Sequence, residues 1–148
     1  MFDELQDLYQ QVILDHSRSP RNYRVLDTAN RTAQGLNPLC GDSITLYLRI
    51  EGGRVHEAAF QGAGCAISKA SASLLTESIQ GKTAVEVRAL FDQVHQMLTT
   101  GQAGSADLGK LAVFTGVHKF PARVKCAILP WHAALAALEG KEDQVSTE

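Results

Sequence analysis

Three cysteines are the residues with which this sequence could do chemistry. They are the only cysteines in the chain, and they stand in three separate motifs: Asn37-Pro38-Leu39-Cys40-Gly41-Asp42, Gly62-Ala63-Gly64-Cys65-Ala66-Ile67-Ser68 and Arg123-Val124-Lys125-Cys126. Asp42 follows the first cysteine by two positions. Three thiolates and one carboxylate form a four-ligand set suited to one Zn²⁺, provided that the fold brings them together. The sequence therefore predicts a zinc site of Cys40, Asp42, Cys65 and Cys126.

The residues around each predicted ligand should affect its charge and how readily it leaves a metal. We expect Cys65 at the start of a helix, where the positive end of the helix dipole favours a thiolate. Arg123 lies three positions before Cys126 on the same helix face, so we expect its charge to offset the negative charge of the site. The carboxylate of Asp42 is the hardest of the four donors, and we expect it to exchange most readily. Such a site could swap a ligand, which a closed structural zinc site does not do.

A catalytic Cys–His pair is a different use of the same thiols, in a hydrolase or a transferase. No histidine lies close in sequence to a cysteine together with a third orienting group, so this alternative depends on tertiary contacts. His118 is the best spare metal ligand, eight positions before Cys126. We expect His16 to stabilise the C-terminal end of the first helix through the helix dipole. His132 lies about 240° around the last helix from Cys126 and therefore faces elsewhere.

Length and composition limit the classes of protein that this chain can belong to. With 148 residues, 45% of them hydrophobic and 20% charged, it is predicted to form one domain over residues 1–140 with a disordered polar tail at 141–148. The net charge of −2 gives no basis for binding nucleic acid or an anionic membrane. No apolar run approaches 18 residues, and we read no basic leader, so we expect a cytoplasmic, reducing location with protein partners.

Hydrophobic periodicity predicts the strands and helices that would position the cysteines. Alternating residues on both sides of Gly52-Gly53 indicate a β-hairpin, and a short strand is expected near 30–33. Apolar residues at helical spacing and end signals such as Thr83 with Glu86 indicate helices. The predicted helices span 3–16, 65–79, a segment after Thr83, 108–113 and 121–138.

These motifs resemble the NifU N-terminal, or IscU-like, family. The resemblance runs from about residue 4 to residue 138 and includes Leu14-Asp15-His16, Pro20-Arg21-Asn22, the three cysteine motifs and Trp131. Within the family the chain looks like the SufU branch. The stretch between Cys65 and Cys126 is longer than in IscU scaffolds, and Lys125 stands where those scaffolds carry a histidine.

The resemblance implies a fold, a site and a function. The fold would be of the α/β (α+β) class, with a three-stranded antiparallel sheet packed by about five helices. A metal, usually zinc, would be held by Cys40, Asp42, Cys65 and Cys126. Cys40 would accept persulfide sulfur from a PLP-dependent, SufS-like cysteine desulfurase and relay it to downstream iron–sulfur assembly machinery, as a zinc-dependent sulfurtransferase does. The alternative is an IscU-type scaffold, not an enzyme, that assembles a [2Fe–2S] cluster from iron on the same cysteines.

Overall fold

The fold combines a small sheet with helices packed mainly on one of its faces. The computed structural model describes residues 2–38, 40–102, 108–140 and 145–146. In chain order the elements are α1 (Phe2–Arg18), β1 (Arg31–Asn37), β2 (Asp42–Glu51), β3 (Arg54–Ala63), α2 (Ala66–Ile79), α3 (Ala84–Thr100), a 3₁₀ helix (Gly109–Lys119), α4 (Pro121–Leu138) and β4 (Val145–Ser146). The predicted α+β class is confirmed.

The sheet has the order β3-β2-β1-β4, and its first three strands are antiparallel as the family resemblance implies. The predicted hairpin is β2–β3. Strand β1 is longer than the short segment expected near 30–33, because its buried positions Ala33, Gly35 and Asn37 are small or polar and show no hydrophobic alternation. Of the predicted tail, residues 141–144 and 147–148 lie outside the described residues, whereas Val145–Ser146 pair in parallel with β1.

Helices α2 and α4 cover the inner face of the sheet and form the core with it. Buried residues from both layers include Ile44, Leu46, Phe60, Leu129 and Trp131. The small side chains of α2 allow α4 to approach closely. An ideal Cβ on Gly35 of β1 would lie 3.0 Å from Leu129 Cδ1, so the strand also needs a small residue under α4.

The helix boundaries follow the predicted signals at most positions. Helix α2 begins one residue after Cys65, and α3 carries the predicted capping box of Thr83 and Glu86. The predicted loop at 101–105 falls partly outside the described residues, and the short helix expected at 108–113 is a longer 3₁₀ helix. Within the described ranges, none of the helices has the length and apolar character needed to cross a bilayer.

Helix α1 packs on α2 through polar contacts at its C-terminal end. His16 was expected to act on the helix dipole; instead its ring is buried, and Nδ1 forms a hydrogen bond of 2.7 Å with Ser73 Oγ. The backbone N–H of Arg21 also donates to Ser73 Oγ, and Asn22 Nδ2 donates to Thr76 Oγ1. The Leu14–Asn22 segment therefore ties α1 and the following turn to α2.

Candidate metal centre

Three of the four predicted ligands meet where the β1–β2 hairpin touches α4. One ligand atom each from Cys40, Asp42 and Cys126 lies within 4.8 Å of the other two. Cys40 is exposed, whereas Asp42 and Cys126 are buried. The cluster therefore has one accessible thiol and two ligands on the protein side.

The turn between β1 and β2 brings Cys40 close to Asp42. Asn37 and Asp42 are cross-strand partners at the end of the ladder, and the Cys40 N–H donates to the Asn37 carbonyl oxygen at 3.2 Å. Gly41 adopts a φ of 72°, a left-handed conformation that glycine reaches without a Cβ penalty. Cys40 therefore lies at an exposed position in the turn that joins Asn37 of β1 to Asp42 of β2.

Asp42 uses its two carboxylate oxygens differently. Oδ1 accepts a hydrogen bond of 2.8 Å from the Cys65 N–H, whereas Oδ2 is buried and has no hydrogen-bond partner among the described residues. A buried carboxylate oxygen without a partner is costly unless a cation or a donor satisfies it. Its position beside two thiols fits a metal ligand. The sequence predicted Asp42 as the readily exchanged ligand, but the structure buries and ties this residue and exposes Cys40 instead.

Cys65 lies next to the cluster without belonging to the close group of three. It is the N-cap residue of α2, and its Sγ is 3.9 Å from Ser68 Oγ. Gly64 permits this approach, since an ideal Cβ on it would lie 2.4 Å from Asp42 Oδ1 and 2.7 Å from Ser68 Oγ. The backbone of Cys65 is thus anchored on Asp42, and its role as the fourth ligand stays a prediction.

Cys126 is the buried thiol of the cluster, at 3% exposure. Burial raises its pKa, and the neighbouring side chains of Asp42, Cys40 and Cys65 raise it further. The protein alone therefore disfavours a thiolate here, and a divalent cation would reverse that preference. The unpaired Asp42 oxygen and the S/O donor set together fit one Zn²⁺, which Cys40, Asp42 and Cys126 would hold with the Cys65 side chain beside Cys126.

The first turn of α4 forms the outer wall beside Cys40. A cavity of about 160 Å³ is lined by Asn37, Cys40, Pro121, Ala122 and Lys125. Arg123 lies exposed on the same turn, with its guanidinium carbon 4.5 Å from the centre of the Phe120 ring. This cation–π contact holds a positive charge near the start of α4. The charge-supporting role of Arg123 stays a prediction.

No histidine of the described residues hydrogen-bonds a cysteine. His16 bonds Ser73, His118 Nδ1 bonds the Thr115 carbonyl oxygen, and His56 lies near Glu51. His95 and His132 both pack against the Phe91 ring. The spare ligand expected at His118 is therefore not part of the close cluster, and nothing in these contacts favours a Cys–His catalytic pair.

The comparison with protein families decides the classification. The model of the NifU-like N terminal domain matches residues 8–127, which include all three cysteine motifs and Asp42. This chain belongs to the NifU-like N-terminal domain family. The family resemblance noted from the motifs is confirmed.

Two of the similar relatives carry different functional names. The chain is 44% identical over 132 residues to the zinc-dependent sulfurtransferase SufU of Bacillus subtilis, covering 87% of this chain and 88% of that protein. It is 39% identical over 132 residues to the iron-sulfur cluster assembly scaffold protein IscU of Thermotoga maritima, covering 89% and 93%. A crystal structure of a putative SUF-system scaffold (SufU) from Fervidobacterium islandicum matches with a TM-score of 0.81 at 34% identity, covering 86% and 94%.

Two residues of this family member contribute to the site although the sequence analysis gave them no role. Asn37 is fully buried, and its Nδ2 approaches Cys126 Sγ at 3.6 Å. Gly64 leaves the space into which Asp42 and Ser68 project. Both stand within the cysteine motifs, so proximity in sequence was the available signal, but their contacts depend on the fold.

Proposed function

We propose that this protein is a zinc-dependent sulfur acceptor in iron–sulfur cluster assembly. It would take sulfane sulfur from a PLP-dependent, SufS-like cysteine desulfurase onto Cys40 and pass it to downstream assembly proteins. The observation that carries this is the exposed thiol of Cys40, within 4.8 Å of a buried carboxylate and a buried thiol. The similarity to a protein named zinc-dependent sulfurtransferase supports the same function.

The transfer to Cys40 needs no external oxidant. The Cys40 thiolate attacks the terminal sulfur of the donor's cysteine persulfide. A sulfur–sulfur bond to Cys40 forms, and the donor's sulfur–sulfur bond breaks. The donor cysteine leaves as a thiolate, and the proton of the persulfide stays on the transferred sulfur or passes to solvent. The exposure of Cys40 in the turn between β1 and β2 would allow the donor sulfur to approach.

The surrounding residues would prepare Cys40 for this step. Asp42 and Cys126 are both buried. Asp42 accepts a hydrogen bond from the Cys65 N–H, and Cys126 accepts one from Asn37 Nδ2. Cys40, in contrast, sits on a short turn at the mouth of the cavity beside α4. A bound Zn²⁺ would keep the thiols ionised near pH 7 and protect them from oxidation. Arg123 would offset part of the excess negative charge of such a site.

Cys40→Ala tests the proposed function directly. We expect this variant to lose all stimulation of a cysteine desulfurase, measured as alanine formed from L-cysteine, because the acceptor sulfur is gone. Pro38→Ala is the matched control, since this exposed residue lies on the same turn but offers no ligand. Circular dichroism would verify that both variants fold. Stimulation by Cys40→Ala equal to that of the control would rule out the acceptor role.

The second candidate function is that of a scaffold for a [2Fe–2S] cluster on the same cysteines. The similarity to the scaffold protein of Thermotoga maritima favours it. Anaerobic incubation with ferrous iron and sulfide would then give a stable visible chromophore at about one cluster per chain. A protein that instead retains zinc and forms no chromophore would contradict the scaffold function.

A further inference from the structure

The side-chain amide of Asn37 makes a hydrogen bond to a sulfur. Its Nδ2 lies 3.6 Å from Cys126 Sγ, across 89 positions of the chain. The side chain is fully buried at the end of β1. The length of this contact is normal for a donor to sulfur, whose radius is larger than that of oxygen.

The Asn37 amide directs its Nδ2 donor at Cys126 Sγ, and in this orientation its Oδ1 acceptor has no partner. Asn37 Oδ1 is buried and accepts no hydrogen bond from the described residues. Leaving a buried amide oxygen unsatisfied is unfavourable. The hydrogen bond from Asn37 Nδ2 must therefore be strong enough to offset the cost of the unsatisfied oxygen. A metal-bound thiolate at Cys126 would provide such a bond, because a charged thiolate is a much better acceptor than a neutral thiol.

The ligands of the cluster differ in how firmly they are held. Cys126 is 3% exposed and receives the Asn37 donor, and Asp42 is 2% exposed and receives the Cys65 N–H. Cys40 is exposed on a turn. An N–H bond to a thiolate ligand orients it and withdraws charge from sulfur, which makes that sulfur a poorer nucleophile.

We propose that Asn37 is a positioning residue that holds Cys126 as the permanent thiolate ligand and thereby leaves Cys40 as the cysteine that takes sulfur. The anchoring of Cys126 follows from the contacts of Asn37. The assignment of Cys40 rests on the proposed function. The two parts can be tested separately.

The first test uses Co²⁺ in place of Zn²⁺ as an optical probe. Asn37→Leu keeps the number and branching of the side-chain heavy atoms and removes the donor, and Asn37→Ser is a smaller second variant in case the first does not fold. Loss of the N–H should move the thiolate-to-Co²⁺ charge-transfer band to lower energy, because the sulfur lone pairs are no longer stabilised. The affinity for Zn²⁺ should fall about 10- to 100-fold, as is typical when an outer-shell partner is removed.

Asn30→Ser is the matched control for the first test. Asn30 precedes β1 at its other end and binds the Ile50 backbone through both polar atoms of its side chain, so its loss weakens the sheet without touching the cluster. We expect no band shift in this variant. An unchanged band and affinity in the folded Asn37 variants would overturn the anchoring of Cys126.

The second test locates the transferred sulfur. Each protein is incubated with desulfurase and L-cysteine, alkylated and mapped by mass spectrometry. We expect the persulfide on Cys40 alone in the wild type, and on both Cys40 and Cys126 in Asn37→Leu. Persulfide confined to Cys40 in that variant would overturn the directing role of Asn37. A wild type without persulfide would overturn the proposed function and the assignment of Cys40, while the Co²⁺ band would still decide the anchoring of Cys126.

Discussion

Asp42 links two of the cysteine motifs through a single carboxylate. Its Oδ1 holds the Cys65 N–H at 2.8 Å, and its buried Oδ2 remains available beside the thiols of Cys40 and Cys126. At the scale of single residues, this division explains why an aspartate is suited to the position. An asparagine has only one side-chain oxygen, so its NH2 group would replace one of these two acceptors. Either the Cys65 N–H or a bound cation would then face a donor.

Gly64→Ala tests the space that Asp42 requires. An added Cβ would lie 2.4 Å from Asp42 Oδ1 and must displace the carboxylate or break its bond to the Cys65 N–H. We expect the affinity for Zn²⁺, measured by competition with a chelating dye, to fall at least about tenfold, comparable to the loss of an outer-shell partner. Gly116→Ala is the control, since a Cβ there meets no atom within 4 Å. Equal affinities in the two variants would contradict this account of Gly64.

At the scale of elements, α1 makes polar contacts with α2 at its C-terminal end, in addition to the apolar packing of its residues Tyr9, Val12 and Ile13. The His16 ring is buried against Ser73, and its Nε2 lies 3.9 Å from Glu77 Oε1. Burial lowers the pKa of His16, and the charge of Arg21 lowers it further, while Glu77 acts in the opposite direction. The folded protein therefore prefers a neutral imidazole at this position.

The docking of α1 should consequently weaken in acid. The pKa of His16 is about 6.5 in the unfolded chain and lower in the folded one, so the stabilising effect is complete above pH 6.5 and is lost as the pH falls through the folded value. Each unit of difference corresponds to about 1.4 kcal/mol. Urea unfolding at pH 7.5 and pH 5.5 should show a larger acid loss for the wild type than for His16→Gln.

Exposed and buried histidines provide the controls for this pH effect. His56 is exposed on the β2–β3 hairpin, so His56→Gln should lose as much stability in acid as the wild type. The pKa of His132 is also lowered by burial, but this residue is present in all three proteins and cancels in the comparison. An identical acid loss in His16→Gln and the wild type would show that α1 docking does not depend on the charge of His16.

At the scale of the whole molecule, the cluster joins parts of the fold that are distant in the chain. Cys40 and Asp42 come from the β1–β2 hairpin, and Cys126 comes from α4. Beneath them, Ser71 Oγ of α2 donates to the Ala127 carbonyl oxygen at 2.6 Å and accepts from Trp131 Nε1 at 3.2 Å. A metal bound by the cluster would therefore crosslink the sheet to the helical layer.

Metal binding should accordingly stabilise the whole domain. Each tenfold rise in free Zn²⁺ above the dissociation constant should add about 1.4 kcal/mol to the free energy of unfolding, because the unfolded chain does not hold the ligands together. Thermal unfolding in zinc-buffered solutions measures this slope. Asp42→Ala should move the onset of this stabilisation to a higher concentration of free Zn²⁺, whereas Asp92→Ala, at an exposed position on α3, should leave the onset unchanged. An unchanged onset in Asp42→Ala would place the stabilising metal elsewhere.

The sequence by itself predicted much of the local structure and the composition of the site. Alternation and glycines indicated the β2–β3 hairpin, and Thr83 with Glu86 indicated the start of α3. The motifs also indicated the family and the candidate ligands. These features are readable because each is encoded by neighbouring residues, through side-chain periodicity or a local hydrogen bond.

Only the tertiary structure decided which of these residues meet and how. The Asn37 donor reaches Cys126 across 89 positions, and His16 reaches Ser73 across 57. The structure also exposes the thiol of Cys40, buries that of Cys126 and places Cys65 Sγ 3.9 Å from Ser68 Oγ. No local pattern encodes such contacts, because they depend on how closely α2 and α4 pack on the sheet, and that distance is determined by small residues such as Gly35 on separate elements.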